Sequence, residues 1–190
     1  MEALGGETKA SNVYKLSPTK IGQEFKTYLY CDGALNIKAV TGVALFLGEP
    51  DLVNHINKSA AAVAFTTKET IAVDSSMEVE LCAIGRAIKL AGWIAHFREE
   101  SGYAQTQPAI IFTDSAVAIK FLTDSGSVPN RQTRHLRSRV LCIKQALPRN
   151  MAVLKFVPGN LNCADLLTKP LGRVLFERHS KNMMGELYNG

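Results

Sequence analysis

A chain of 190 residues, 46% of them hydrophobic, is long enough for one compact domain and too short for two. Its mean hydropathy of +0.01, with no apolar run near the roughly 20 residues that span a bilayer, argues against both a membrane-spanning and a disordered chain. The net charge of +5 is unevenly placed: between Asp124 and Asp165 there is no acidic residue, while Arg131, Arg134, Arg137, Arg139, Lys144, Arg149 and Lys155 supply seven positive charges, leaving fifteen basic against seventeen acidic residues elsewhere. Such a one-signed stretch predicts a face that binds a polyanion, the alternative being a solvated basic helix.

Residues 1–22 hold Gly5-Gly6, Ser11, Ser17 and Pro18 with weak periodicity and read as a linker, so the domain is expected over 23–190. The aromatic run from Thr27 to Gly33 predicts a strand closing in a tight turn at Asp32-Gly33. Val40–Leu47 predicts a second strand and Ala60–Phe65 a third, an antiparallel start. Residues 75–100 switch to helical periodicity. The short apolar run Ile110–Thr113 predicts a buried, parallel-type strand feeding a helix after Asp114. A helix over Thr133–Leu147, a strand near Ala152–Val157 and helices after Cys163 and over Arg173–Met184 complete the reading. Three strands followed by alternating helix and strand describe an α/β fold, a mixed sheet with helices on its faces, which places ligands at the carboxyl ends of strands.

Asp32 and Asp114 both fall at such ends, although either alone is explained as a turn former or a helix N-cap. Projecting the 75–100 helix at 100° per residue puts Met77, Leu81, Ile84, Ile88, Ala91 and Ile94 on one apolar arc, with Glu80 inside it. Glu78 falls on the opposite side and is expected to face solvent. An inward carboxylate costs several kcal/mol unless it is paired or bound to a cation, so Glu80 needs a partner. Asp165 lies in Asn160–Pro170, a polar loop opening a short helix, where it also suits a helix start.

Asp32, Glu80, Asp114 and Asp165 together would repel one another unless hard divalent cations neutralised them. An oxygen-only set points to Mg2+, with Mn2+ able to substitute, rather than zinc. Two such ions activate a water and stabilise the leaving oxygen in phosphodiester displacement, and the basic stretch would hold the phosphates. Cys31, Cys82, Cys142 and Cys163 show neither a C-x-x-C pair nor a disulfide spacing and are expected to be reduced and mostly buried. The start, Met1–Gly6, lacks a secretory signal, so a cytoplasmic location is expected.

These residues carry a resemblance. Tyr30-Cys31-Asp32-Gly33-Ala34, Ser75-Ser76-Met77-Glu78-Val79-Glu80, Thr113-Asp114-Ser115-Ala116-Val117-Ala118-Ile119, Thr133-Arg134-His135-Leu136-Arg137 and Ala164-Asp165-Leu166-Leu167-Thr168-Lys169-Pro170-Leu171 resemble, in that order, the ribonuclease H (RNase H) domain of copia-type LTR retrotransposon reverse transcriptases. The resemblance spans about Tyr28 to Gly185. It implies an RNase H-like fold with a mixed five-stranded sheet and helices on both faces. It implies two Mg2+ ions held by Asp32, Glu80, Asp114 and Asp165, and cleavage of the RNA strand of RNA–DNA hybrids with 3′-hydroxyl and 5′-phosphate ends. Gly33, Ser115, Arg131, Arg134, His135, Arg137 and Arg139 become candidate nucleic-acid contacts. A polymerase domain of the same polyprotein becomes the expected partner on the side of residues 1–22, and a virus-like particle the expected setting. The Trp-Ala-Gly-like continuation after the first Asp is absent, and no His lies in 157–163. The competing expectation is a non-catalytic RNase H-like module that binds nucleic acid or another polyprotein domain.

Overall fold

A computed structural model of the chain describes residues 26–35, 37–70, 73–124, 137–149 and 151–185; the expected linker over 1–22 lies outside them. Strands β1 (Lys26–Leu35), β2 (Ala39–Gly48), β3 (Val63–Lys68), β4 (Ala109–Thr113) and β5 (Ala152–Phe156) form one sheet in the order β3-β2-β1-β4-β5. β1–β2 and β2–β3 are antiparallel, while β4 runs parallel to β1 and β5 parallel to β4. Helices α1 (Ser76–Glu100), α2 (Ala116–Thr123), α3 (Arg137–Ala146) and α4 (Arg173–Met183) surround it, with 3-10 turns at Gly159–Leu161 and Cys163–Leu167. None of the described helices is long and apolar enough to cross a membrane.

β1 is the middle strand and is buried on both faces. Because side chains alternate along a strand, Leu29 and Cys31 join the core beneath α1, α2 and α3, with Leu81, Ile84, Ile111 and Ile143. Tyr28 and Tyr30 point the other way, into a second core with Phe46, Phe112, Cys163 and Met183. In that second core Tyr30 stacks on Phe112 (4.8 Å between centroids) and Tyr28 on Phe46 (5.4 Å), contacts that add to the burial of the four rings. Helices therefore cover both faces, as the sequence predicts.

Three local expectations are corrected. The first strand does not turn at Asp32-Gly33; it continues to Leu35, with Asp32 opposite Gly42 and Gly33 opposite Thr41, because β2 pairs with it along its whole length. The third strand begins at Val63 rather than Ala60: Ala61 N–H instead donates to Met183 O (2.8 Å), tying that segment to α4. Glu78 is buried, not solvent-facing. Its carboxylate accepts from Asp74 N–H (2.8 Å) while Ser75 Oγ accepts from Glu78 N–H, a reciprocal capping of the α1 N-terminus. The four cysteines are free thiols, three buried and Cys142 exposed.

Candidate active site

The parallel pairing of β1 with β4 sets Tyr28 beside Ile110 and Tyr30 beside Phe112. Two residues on, with side chains on the same face, come Asp32 and Asp114. The third carboxylate arrives from α1. At Gly33 an added Cβ would lie 2.7 Å from the carbonyl carbon of Val79, so only glycine lets the helix approach β1 this closely. That approach carries the next residue, Glu80, to the strand, where its carboxylate accepts from Gly33 N–H. Asp32, Glu80 and Asp114 each offer an oxygen within 4.8 Å of the others.

Asp32 is fully buried and Glu80 is 8% exposed. Burial, then the charges of Asp32 and Asp114, push the Glu80 carboxyl up to about 8. Asp114 is likewise raised, by burial and then by Asp32. Glu80 Oε2 is buried without a hydrogen-bond partner among the described residues. Among the described residues no Lys or Arg donates to it. An orphaned buried carboxylate oxygen facing two further carboxylates is a donor set that fits a hard divalent cation.

Asp165 enters from the turn Cys163–Leu167. Asn162 pins this turn to β1: its side-chain amide donates to Cys31 O (3.1 Å) and its carbonyl accepts from Ala164 N–H (3.2 Å). Asp165 is not one of the three clustered acids; it reaches them through Lys169. The Lys169 ammonium lies 3.1 Å from Asp32 Oδ1 and 3.2 Å from Asp165 Oδ1. Thr168 Oγ1 donates to the other Asp32 oxygen. Burial and the Asp32 charge push Asp165 up to about 6. Burial alone would lower Lys169, but Asp32 and Asp165 outweigh it and hold the ammonium more firmly protonated than usual. Asn162, Thr168 and Lys169 were not among the residues singled out from sequence, although Thr168 and Lys169 lie inside the Ala164–Leu171 motif that carries Asp165.

No family model matches the chain, and no curated protein matches its sequence. Among solved structures it is similar to RNase H1 from Halobacterium salinarum NRC-1, at 18% identity and TM-score 0.53, over 75% of this chain and 93% of that one. An N-terminal RNase H domain from Mycobacterium tuberculosis, solved as a fusion with maltose-binding protein, gives 14%, TM-score 0.52, and 83% and 97% coverage. The chain has the RNase H fold. LC11-RNase H1 in complex with RNA/DNA hybrid is similar at 16% identity and TM-score 0.50, over 75% of this chain and 93% of that one. The foamy viral protease-reverse transcriptase, also in complex with RNA/DNA hybrid, matches at 15% and TM-score 0.50 over 85% of this chain and 23% of its own.

The candidate nucleic-acid contacts separate on this RNase H fold. Gly33 is buried against Val79 and serves packing. Ser115 is half-buried and caps α2, its Oγ accepting from Ala118 N–H. Arg139 is committed inward: it lies 3.4 Å from Glu69, which Arg86 also pairs at 2.8 Å. Arg137 is exposed at the start of α3 and free of such a pairing in the described contacts. Arg131, Arg134 and His135 lie outside the described residues.

Proposed function

We propose that this chain is a divalent-metal-dependent endoribonuclease that cleaves the RNA strand of RNA–DNA hybrids during retrotransposon reverse transcription, beside a polymerase domain of the same copia-type polyprotein and within a cytoplasmic virus-like particle. The observation that carries the reading is the convergence of Asp32, Glu80 and Asp114 oxygens within 4.8 Å, with Glu80 Oε2 left unpartnered among the described residues. Two Mg2+ ions, or Mn2+ in their place, would supply an activated water and charge stabilisation at the scissile phosphate. Asp32, Glu80 and Asp114 would hold them, with Asp165 completing the second position. Asp32 is held by Thr168 and Asp114 by its place at the end of β4, so their oxygens are positioned before substrate arrives. Arg137 and the basic stretch preceding it would contact phosphates. Contacts to RNA 2′-hydroxyls would select the strand. The RNase H structures solved with RNA/DNA hybrid support the substrate class.

The alternative, a non-catalytic RNase H-like module, draws on one observation: Lys169 already neutralises part of the acidic charge. End-labelled RNA–DNA hybrid, RNA duplex and DNA duplex, each incubated with Mg2+ or with chelator, separate the two. Chelator-sensitive cutting confined to the hybrid is expected, and intact hybrid at every Mg2+ concentration would favour the binding module.

A further inference from the structure

The centre contains its own cation. We propose that Lys169 is a resident counter-ion which a divalent metal must displace from Asp32, giving the site a built-in threshold for ion loading. This rests on the metal-centre reading above and concerns what Lys169 does to it.

Both oxygens of Asp32 are taken, one by the Lys169 ammonium at 3.1 Å and one by the Thr168 hydroxyl. Glu80 and Asp114 hydrogen-bond neither Lys169 nor Thr168 in the described contacts, and Glu80 Oε2 has no partner. An ion entering among the three carboxylates therefore finds Glu80 and Asp114 clear of any ammonium among the described contacts and Asp32 engaged by a positive charge. A hydroxyl can remain beside a cation-bound carboxylate because it donates to an oxygen with lone pairs to spare. An ammonium cannot stay without direct repulsion between cations. The side chains differ in freedom in the matching sense: Thr168 is 7% exposed, whereas the Lys169 side chain is 37% exposed on a flexible four-carbon stem. Lys169 is the contact that gives way. It has somewhere to go, since the partly exposed side chain can swing its ammonium toward water.

The consequence is a competition. Without Lys169 the ion-free protein should be less stable and should bind metal more tightly. Titration of Mn2+ alone into the full chain, read by calorimetry and by the electron paramagnetic resonance of free Mn2+, measures it. Lys169→Met should bind Mn2+ about tenfold more tightly than wild type, as the cost of breaking one charge-assisted contact, that to Asp32, implies, and should melt at a lower temperature in chelator. Lys169→Arg, which keeps the charge, should stay near wild type in affinity. Equal Mn2+ affinity in wild type and Lys169→Met overturns the inference while leaving the metal centre standing. Absence of Mn2+ binding by both chains overturns the metal-centre reading, and this inference with it. A measurement on wild type alone is independent of how the variants fold: the Lys169 ammonium resonance in 15N-labelled protein should shift when Mg2+ is added, and a resonance unchanged at saturating Mg2+ overturns the displacement.

Discussion

At the level of single residues, the acidic centre trades stability for function. Glu80 is held beside Asp32 and Asp114 with one oxygen unpartnered among the described residues, so Glu80→Gln removes, without changing shape, the buried like charge that Glu80 carries once it loses its proton. In chelator at pH 8 this variant should be more stable by about 1–2 kcal/mol, a rise of roughly 3–6 °C in thermal midpoint for a domain of this size. The sign follows from the raised carboxyl. Between its ordinary 4.5 and about 8, folded Glu80 keeps a proton that the unfolded chain releases, so its contribution to stability declines as pH rises through that window. Asp32→Asn should reduce hybrid cleavage about a thousandfold while leaving the circular dichroism spectrum unchanged. Activity at the wild-type rate would rule out Asp32 as a ligand. The inward aim of Glu80 was legible in sequence, because a helix repeats every 100° and its neighbours Leu81, Ile84 and Ile88 define the buried arc. The same projection misplaced Glu78: an N-terminal carboxylate can fold back on the preceding backbone, and the Ser75-x-x-Glu78 spacing was the available signal. Lys169 was not legible as a site residue. A lysine reads as solvated, and its inward turn comes from a 3-10 turn that hydrophobic periodicity does not report.

At the level of elements, the site depends on how closely α1 lies on β1. The missing side chain at Gly33 is what permits it, so Gly33→Ala should force the helix outward. A loss of about 1–3 kcal/mol is expected, together with weaker Mn2+ binding as Glu80 is drawn away from Asp32. Unchanged chemical denaturation and unchanged binding would show that the contact can relax without cost. A second close approach, at Gly42, brings the turn that carries Asp165 onto β2, where an added Cβ would lie 2.6 Å from Leu167 Cβ. On the other face Glu69 gathers Arg86 of α1 and Arg139 of α3, which explains why part of the basic stretch points inward. The positions of nearly all strands and helices could be read from period and turn chemistry. The exceptions have a common cause: the extent of β1 and the start of β3 are set by pairing with β2 and by a backbone bond to α4, both non-local.

At the level of the whole molecule, two cores are joined back to back through one sheet, and two buried histidines, His55 against the rings of the second core and His179 on α4, resist protonation. Burial draws both His55 and His179 below the ordinary 6.5, with Asp51 opposing this for the first and Arg178 adding to it for the second. Unfolded histidines take up protons near 6.5 and these only at lower pH, so their contribution to stability is complete above 6.5 and lost as the pH falls below it. Glu80 and Asp165 act with the opposite sign, so the informative comparison is between chains. In chelator, His179→Asn should lose less thermal stability than wild type between pH 7.5 and 5.5, and equal losses would exclude His179 as the source. The overall α/β architecture was legible because strand and helix signals alternate strongly. Which helix covers which face of β1 was not, since that depends on contacts far apart in the chain. That remoteness has a kinetic side. The three clustered acids come from residues 32, 80 and 114, and the central strand that carries the first pairs in parallel with a segment about 80 residues later. Such ladders close late because their loop entropy must be met first. On dilution from denaturant, helical signal should therefore return before the chain can capture Mn2+, and ion uptake should serve as a clock for the final zipping of β1 to β4.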